Sequence, residues 1–380
     1  MSSAIWITGP PASGKSVLAR AAAAALHASG ERVVVLELDE IREVVTPAPT
    51  YTDTERDVVY RALIYMAVAL TAIGVRVIID ATAHRRAWRE LARRQISRFA
   101  EVQLICPLDV CREREIERAV GHAPRGIYTR AAAPGAVVPG VDAPYEPALR
   151  PEVTIDTYRE ARDVAVDRVV AAIRELGASR ERRAEGHRAA WAIWVTGLPG
   201  SGKTTLSRKV AESLAARSTP VQVIDFAEFR RALLDDGPES DATLEIVHRA
   251  LAYTAKLLTE AGVPVIVDAT APRRAWRRLA RKLITHFAEV QLVCPYDICG
   301  DRERAVRWHL GSAPSSSRPE LGAAQPDMAL GYEAALDPEL ALRTDTPILT
   351  ANVEALLRLA LRLQQTAAIA GFAPKQPIVC

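Results

Sequence analysis

Two stretches of this chain place residues at a spacing suited to one kind of chemistry, the handling of phosphate groups. Gly9, Ala12, Ser13, Gly14, Lys15 and Ser16 fill the frame G-x-x-x-x-G-K-[ST], and Gly197, Gly200, Ser201, Gly202, Lys203 and Thr204 fill it a second time. Glycine lets backbone N–H groups turn toward phosphate oxygens, and a helix opening at the lysine adds the positive end of its dipole. The lysine reaches the β- and γ-phosphates, and the hydroxyl of Ser16 or Thr204 can ligate Mg²⁺. Each loop follows an apolar run of strand character, 4–8 or 192–196, and precedes a helix-forming stretch. Both loops therefore predict binding of ATP with Mg²⁺.

Carboxylates come next. Asp80 ends Val-Ile-Ile-Asp and Asp268 ends Val-Ile-Val-Asp, each at the carboxyl end of a buried strand, where an acid can hold the hydration shell of the metal beside Ser16 or Thr204. Asp also favours the start of a helix, so a cap for the following segment is the alternative. Glu37 and Asp39 close another strand, followed by Arg42, and Asp39 could take the proton of an attacking hydroxyl. The second copy has Asp225, Ala227 and Arg230 at these places, so it lacks that carboxylate.

The elements that must position these groups recur at an offset of 188 residues, which takes Lys15 to Lys203, Asp80 to Asp268, Trp88 to Trp276 and Cys106 to Cys294. A unit of this length suits a whole domain. Domains at 1–176 and 190–366, a charged linker at 177–189 and a tail at 367–380 are expected. The first copy reads as strand 4–8, helix 15–28, strand 33–38, helix 53–73, strand 75–80, helix 86–98, strand 101–106, helix 109–120, a loop over 121–150, strand 153–156 and helix 157–176. Continuous Val/Ile/Leu strands alternating with helices predict an α/β fold of two tandem P-loop domains, each a parallel sheet with helices on both faces and nucleotide at the strands' carboxyl ends.

Composition narrows the partners. In 380 residues the net charge is only +3, which implies no polyanion, so nucleic acid is not expected. The apolar run 62–75 is too short for a bilayer and reads as a buried helix, and a strand starts too early for a signal peptide. A cytoplasmic protein without membrane contact is expected. Five cysteines fit that: Cys106 and Cys294 close strands, Cys111 and Cys299 lie in the next helix and Cys380 is terminal, so they read as reduced structural thiols rather than metal ligands.

Asp39-Glu-Ile-Arg42, the helix with Arg56 and Arg61, Cys111-Arg-Glu-Arg114, Arg125-Gly-Ile-Tyr128, Gly140-Val-Asp-Ala-Pro-Tyr-Glu-Pro147 and Pro151-Glu-Val-Thr-Ile-Asp-Thr157 resemble the adenylyl-sulfate kinase family. That family phosphorylates the 3′-hydroxyl of adenosine 5′-phosphosulfate with Mg-ATP. The resemblance implies Asp39 as the acid near the acceptor hydroxyl, with Lys15 and Asp80 as its catalytic companions. It implies Arg42, Arg56, Arg61 and Tyr128 on the acceptor, Arg114 and its counterpart Arg302 beside the ATP adenine, and 125–147 as a lid. The family's Asp-Gly-Asp-Asn appears here as Glu37-Leu-Asp-Glu40, its Asn before Ile-Arg-Arg falls on Val59, and its Ser-Phe-Ile-Ser-Pro falls on Asp80-Ala-Thr-Ala-His84. Asp80-Ala-Thr with Arg85, Arg86 and Arg89 downstream also resembles small P-loop kinases acting on sugar, antibiotic or polynucleotide hydroxyls. Those arginines could equally form a solvated helix face.

The second copy keeps the donor side. Arg249 matches Arg61, but Arg56 becomes Leu244 and the lid region 311–331 is rewritten, with only Tyr332-Glu333 and Pro338-Glu339 echoing the first copy. Three readings follow: an adenylyl-sulfate kinase, a kinase for another small hydroxyl compound, and a nucleotide-binding regulatory protein in which neither copy turns over. Apolar runs are kept where acceptor chemistry is not, so an intramolecular pseudo-dimer is expected.

Overall fold

The computed structural model describes residues 2–117, 121–122, 126–130, 138, 143–177, 190–235, 237, 239–309, 331–346 and 348–370. It divides into two compact units, Met1–Ala184 and Glu185–Cys380. Among the described residues no helix is long and apolar enough to cross a membrane.

In the first unit the chain runs β1 (Ala4–Thr8), α1 (Lys15–Ala28), β2 (Val33–Glu37), α2 (Leu38–Val45), α3 (Asp53–Ala72), β3 (Arg76–Asp80), α4 (Arg86–Gln95), β4 (Phe99–Ile105), α5 (Leu108–Glu117), α6 (Ile127–Arg130), β5 (Val153–Asp156) and α7 (Arg162–Glu175). Its sheet has the order β2-β3-β1-β4-β5 with every pairing parallel. β1 and β3 are buried at every residue, as strands covered on both faces must be. Because β3 lies on one side of β1 and β4 on the other, the loop leaving β1 opens at the point where the chain's progress across the sheet reverses, the place where such sheets bind ligands. One face packs Ile5, Ile7 and Ile78 against Leu18, Ala22 and Leu26 of α1 and Val169 and Ile173 of α7. On α3 and α4, Tyr60 stacks on Trp88 at 4.0 Å between ring centres, with Trp6 of β1 at 6.4 Å from Tyr60.

The second unit repeats the plan with β6 (Ala192–Thr196), α8 (Lys203–Ala215), β7 (Gln222–Asp225), α9 (Phe226–Leu234), α10 (Asp241–Glu260), β8 (Val265–Asp268), α11 (Arg274–Leu283), β9 (Phe287–Val293), α12 (Tyr296–His309), β10 (Leu340–Arg343) and α13 (Leu349–Ala370). Its parallel sheet reads β7-β8-β6-β9-β10. The α/β fold of two P-loop kinase units is thus present as expected.

Three features depart from the sequence reading. α2 forms its own helix directly from the end of β2. α7 starts at Arg162 rather than 157, because the Asp156 carboxylate accepts from the N–H groups of Tyr158 and Arg159 and makes a turn first. The largest departure concerns the arginines of α4, whose alternative was a solvated face. Arg89 is fully buried, pairs with Glu101 at 2.5 Å, and donates to the carbonyls of Ala83 and Glu146. Arg277 repeats this with Glu289 at 2.6 Å and the carbonyls of Ala271 and Glu333. A buried guanidinium is tolerated only when its donors are matched in this way. Arg85 pairs with Asp53 at 2.6 Å, and Arg86 donates to Pro147.

Candidate active site

The loop leaving β1 is shaped by residues that cannot be enlarged. Gly9 has φ +156°, and a side chain there would meet Ser13 Oγ and the Leu104 carbonyl. Gly14 at φ +98° and Gly202 at φ +93° open α1 and α8, and neither helix has a side-chain cap, which leaves its first N–H groups directed at the loop's concavity. Ala12 takes φ +57° where the second unit has Gly200, whose missing side chain would run into the Cys299 carbonyl. Lys15 Nζ donates to the Pro10 carbonyl at 2.8 Å, and Lys203 Nζ to those of Gly197 and Leu198 at 3.1 and 3.0 Å.

Strand register brings the acids to the same end. Asp80 lies opposite Ile7 on one side and Glu37 on the other, and Asp268 sits between Val195 and Asp225. Burial pushes the Asp80 carboxyl up to about 6, against the opposing pull of Lys15 and a hydrogen bond from Ser16. Burial also raises Asp268, opposed by Lys203 and a hydrogen bond from Thr204. In both residues Oδ2 is buried and has no hydrogen-bond partner. The helix-cap alternative does not describe either acid, since α4 and α11 take Arg85 and Arg273 at their N-caps. Glu37 is held by Arg20 at 2.6 Å, and Asp39 lies half-buried in the first turn of α2.

On the acceptor side, Arg42 of α2 and Arg56 of α3 converge on the ring of Tyr51, at 5.2 and 5.9 Å from its centre. Burial lowers the Arg56 guanidinium from its ordinary value. Arg42 also pairs with Glu55 at 3.0 Å. Burial pushes Glu55 up, but hydrogen bonds from Thr50 and Arg42 bring it below the usual carboxylate range. Tyr51 sits at φ +54°, a strained backbone for a tyrosine, held there while Glu55 accepts from its N–H and from that of Thr50. His84 is buried nearby, and burial with the charges of Arg56 and Arg85 lowers it to about 4, so the ring is neutral at neutral pH. Neither Tyr51 nor Glu55 was singled out from sequence, although Thr52-x-x-Glu55 ahead of an apolar run is a helix-start signature that places Glu55. Arg61 donates to Asp57 on its own helix at 2.7 Å, and Asp57 also accepts from Trp88 Nε1. Arg249, Glu245 and Trp276 repeat that arrangement.

Arg114, expected beside adenine, donates to the carbonyl of Thr157 at 2.7 Å and to its hydroxyl at 3.2 Å, and that hydroxyl donates to the Ser13 carbonyl at 2.9 Å. Arg302 holds the Thr344 carbonyl at 2.6 Å in the same way. Tyr128 donates to the Pro11 carbonyl at 2.7 Å, so its hydroxyl lies on the phosphate loop. Of the expected lid over 125–147, residues 125, 131–137 and 139–142 lie outside the described residues. Tyr145 and Glu146 are clasped: Tyr145 hydroxyl meets Thr8 Oγ1 at 2.9 Å, and Glu146 accepts from the Arg86 N–H at 2.7 Å. Tyr332 and Glu333 repeat the clasp on Thr196 and Arg274. Among the cysteines, Cys111 and Cys299 are buried, and burial with the neighbouring Cys106 or Cys294 pushes each up to about 12.

A family model described as adenylylsulphate kinase matches residues 1–156 and 189–309, one segment in each unit. A probable adenylyl-sulfate kinase of Archaeoglobus fulgidus is 37% identical over 164 residues, spanning 43% of this chain and 100% of that protein. One from Pyrococcus abyssi is 35% identical over 175 residues, 46% of this chain and 95% of its own length. Among solved structures, the APS kinase CysC of Mycobacterium tuberculosis in complex with AMPPNP and APS is similar at 25% identity and a TM-score of 0.36, covering 45% of this chain and 97% of that one. The Archaeoglobus and Pyrococcus relatives thus each correspond in length to a single unit. With both segments matched and the loops, acids and clasp repeated, this chain is a P-loop, ATP-binding kinase that belongs to the adenylylsulphate kinase family, carried as two copies of which the second has diverged.

Proposed function

We propose that the first unit transfers the γ-phosphoryl group of ATP to the 3′-hydroxyl of adenylyl sulfate. The observation that carries this reading is the convergence of two guanidinium groups, Arg42 and Arg56, on one aromatic ring, Tyr51, with Asp39 on the same helix as Arg42. Such a recess suits an acceptor that is both anionic and planar. Mg²⁺ fits the donor side, because the hydroxyl of Ser16 and the orphaned, buried Oδ2 of Asp80 are hard oxygen donors. Bound there, it would supply charge neutralisation across the β- and γ-phosphates.

Lys15 and the N–H groups of the loop orient the triphosphate and stabilise charge as it shifts toward the β–γ bridging oxygen. Asp39 accepts the proton of the attacking hydroxyl while the new O–P bond forms and the bond to ADP breaks. The two arginines fix the acceptor's anionic end, turning an encounter into a positioned reaction. The second copy is proposed to pack as the pseudo-dimer partner of the first. The domain limits 1–176 and 190–366 and a cytoplasmic location complete the proposal. A kinase for another hydroxyl compound is the second reading, favoured by the Asp80–His84 segment with its buried neutral imidazole. ATP consumption by the purified chain, measured against adenylyl sulfate and a panel of nucleosides, sugars and aminoglycosides, separates the two. Turnover with adenylyl sulfate supports the first, and turnover confined to another compound overturns it.

A further inference from the structure

The second unit keeps the groups that hold a nucleoside triphosphate and replaces those that would hold its acceptor. Lys203, Thr204 and the loop glycines stand as in the first unit, and Asp268 again presents a buried, unpartnered Oδ2 beside Thr204. On the acceptor side the changes act together. Asp39 is replaced by Ala227, and Arg56 by the buried Leu244. Asp225, at the place of Glu37, turns its carboxylate back to cap α9 through the N–H groups of Ala227 and Glu228. Tyr51 is replaced by Glu239, and the Glu239 carboxylate pairs at 2.9 Å with Arg230, the counterpart of Arg42.

Arg42 of the first unit also has a carboxylate partner, Glu55, but there Arg56 adds a second guanidinium over Tyr51; in the second unit the carboxylate itself stands at the position of that ring and repels an incoming anion's charge. With Leu244 in place of the other arginine, the recess has no remaining cationic pair, and Ala227 offers nothing to take a hydroxyl proton. We propose that the second unit is a nucleoside-triphosphate site that binds Mg-ATP without spending it, with Glu239 standing where an acceptor's anionic group would be. This rests on the nucleotide reading of the loops given above, and is independent of which acceptor the first unit uses.

The test uses the full chain. Preloaded with two equivalents of γ-labelled ATP and mixed with adenylyl sulfate, the unaltered chain should consume one equivalent in the first turnover and return the other intact; consumption of both in that turnover overturns the proposal. Lys15→Ala should bind one equivalent and transfer none of it, to adenylyl sulfate or to any member of the acceptor panel. Asp39→Asn, which leaves both loops in place, should bind two and transfer neither. Failure of Lys15→Ala to bind nucleotide with Asp39→Asn binding only one, or phosphoryl transfer by either variant at more than about a hundredth of the unaltered rate, overturns the proposal. If the unaltered chain ignores adenylyl sulfate, the acceptor reading of the first unit falls, while the two variants still decide the second. Glu239→Gln should tighten binding of labelled inorganic sulfate at Arg230 by about tenfold, as release of one charge-assisted contact implies. Unchanged sulfate binding overturns the role given to Glu239.

Discussion

Asp80 holds its proton more tightly in the folded chain than a free aspartate does, and the sign of that shift sets its behaviour. An acid whose folded value is raised, here to about 6 from the ordinary 3.8, stabilises the fold below that ordinary value and withdraws the benefit as pH rises through 6. Asp80→Asn should therefore stabilise the nucleotide-free protein at neutral pH by up to about 3 kcal/mol, read as a higher melting temperature. The same variant should lose Mg-dependent turnover by about 10²-fold or more, and nucleotide affinity of the unaltered chain in Mg²⁺ should weaken below about pH 6. A lowered melting temperature for Asp80→Asn would contradict the burial argument. Asp39→Asn and Lys15→Ala should each cut phosphoryl transfer by about 10²-fold or more, measured as kcat. Fingerprint residues such as Lys15 and Asp80 were legible because their spacing carries their chemistry. Tyr51 was not, since a tyrosine in a Thr/Pro-rich loop announces neither its left-handed backbone nor the two arginines that fold onto it.

At the scale of elements, alternating apolar runs made the parallel sheets legible, including the end of the sheet where the site lies. What stayed hidden is the pairing of residues far apart in sequence. Along α4 the arginines read as one polar face, and nothing local reveals that Arg89 meets Glu101 on β4 while Arg85 meets Asp53. Removing one member of a fully buried pair leaves the other charged and unmatched, so Arg89→Ala should destabilise the first unit by about 3–5 kcal/mol, and Arg277→Ala the second unit similarly. Denaturant unfolding checks this, and a loss below about 1 kcal/mol would show that the pair is not holding the clasp at Tyr145–Glu146. The Thr157 bridge between Arg114 and the phosphate loop was equally illegible, because the three residues lie on separate segments.

For the molecule as a whole, the proposed pseudo-dimer predicts that residues 1–176 alone melt lower than the same unit in the full chain, or self-associate in sedimentation. A monomer with unchanged melting temperature and turnover would favour two independent units. Both halves also share the bare helix starts at Gly14 and Gly202, with no side chain to satisfy the opening amides. A triphosphate seated in either loop completes a helix that the polypeptide leaves unfinished, so the ligand takes part in secondary structure as well as in chemistry. Amide hydrogen exchange should show it: on adding Mg-AMPPNP, the first turns of α1 and α8 should both slow, while α3 and α10, which carry caps from Thr52 and Ser240, change little. Nucleotide would then act in this protein as two interchangeable pieces of backbone scaffolding, one of them renewed at every turnover and the other left in place.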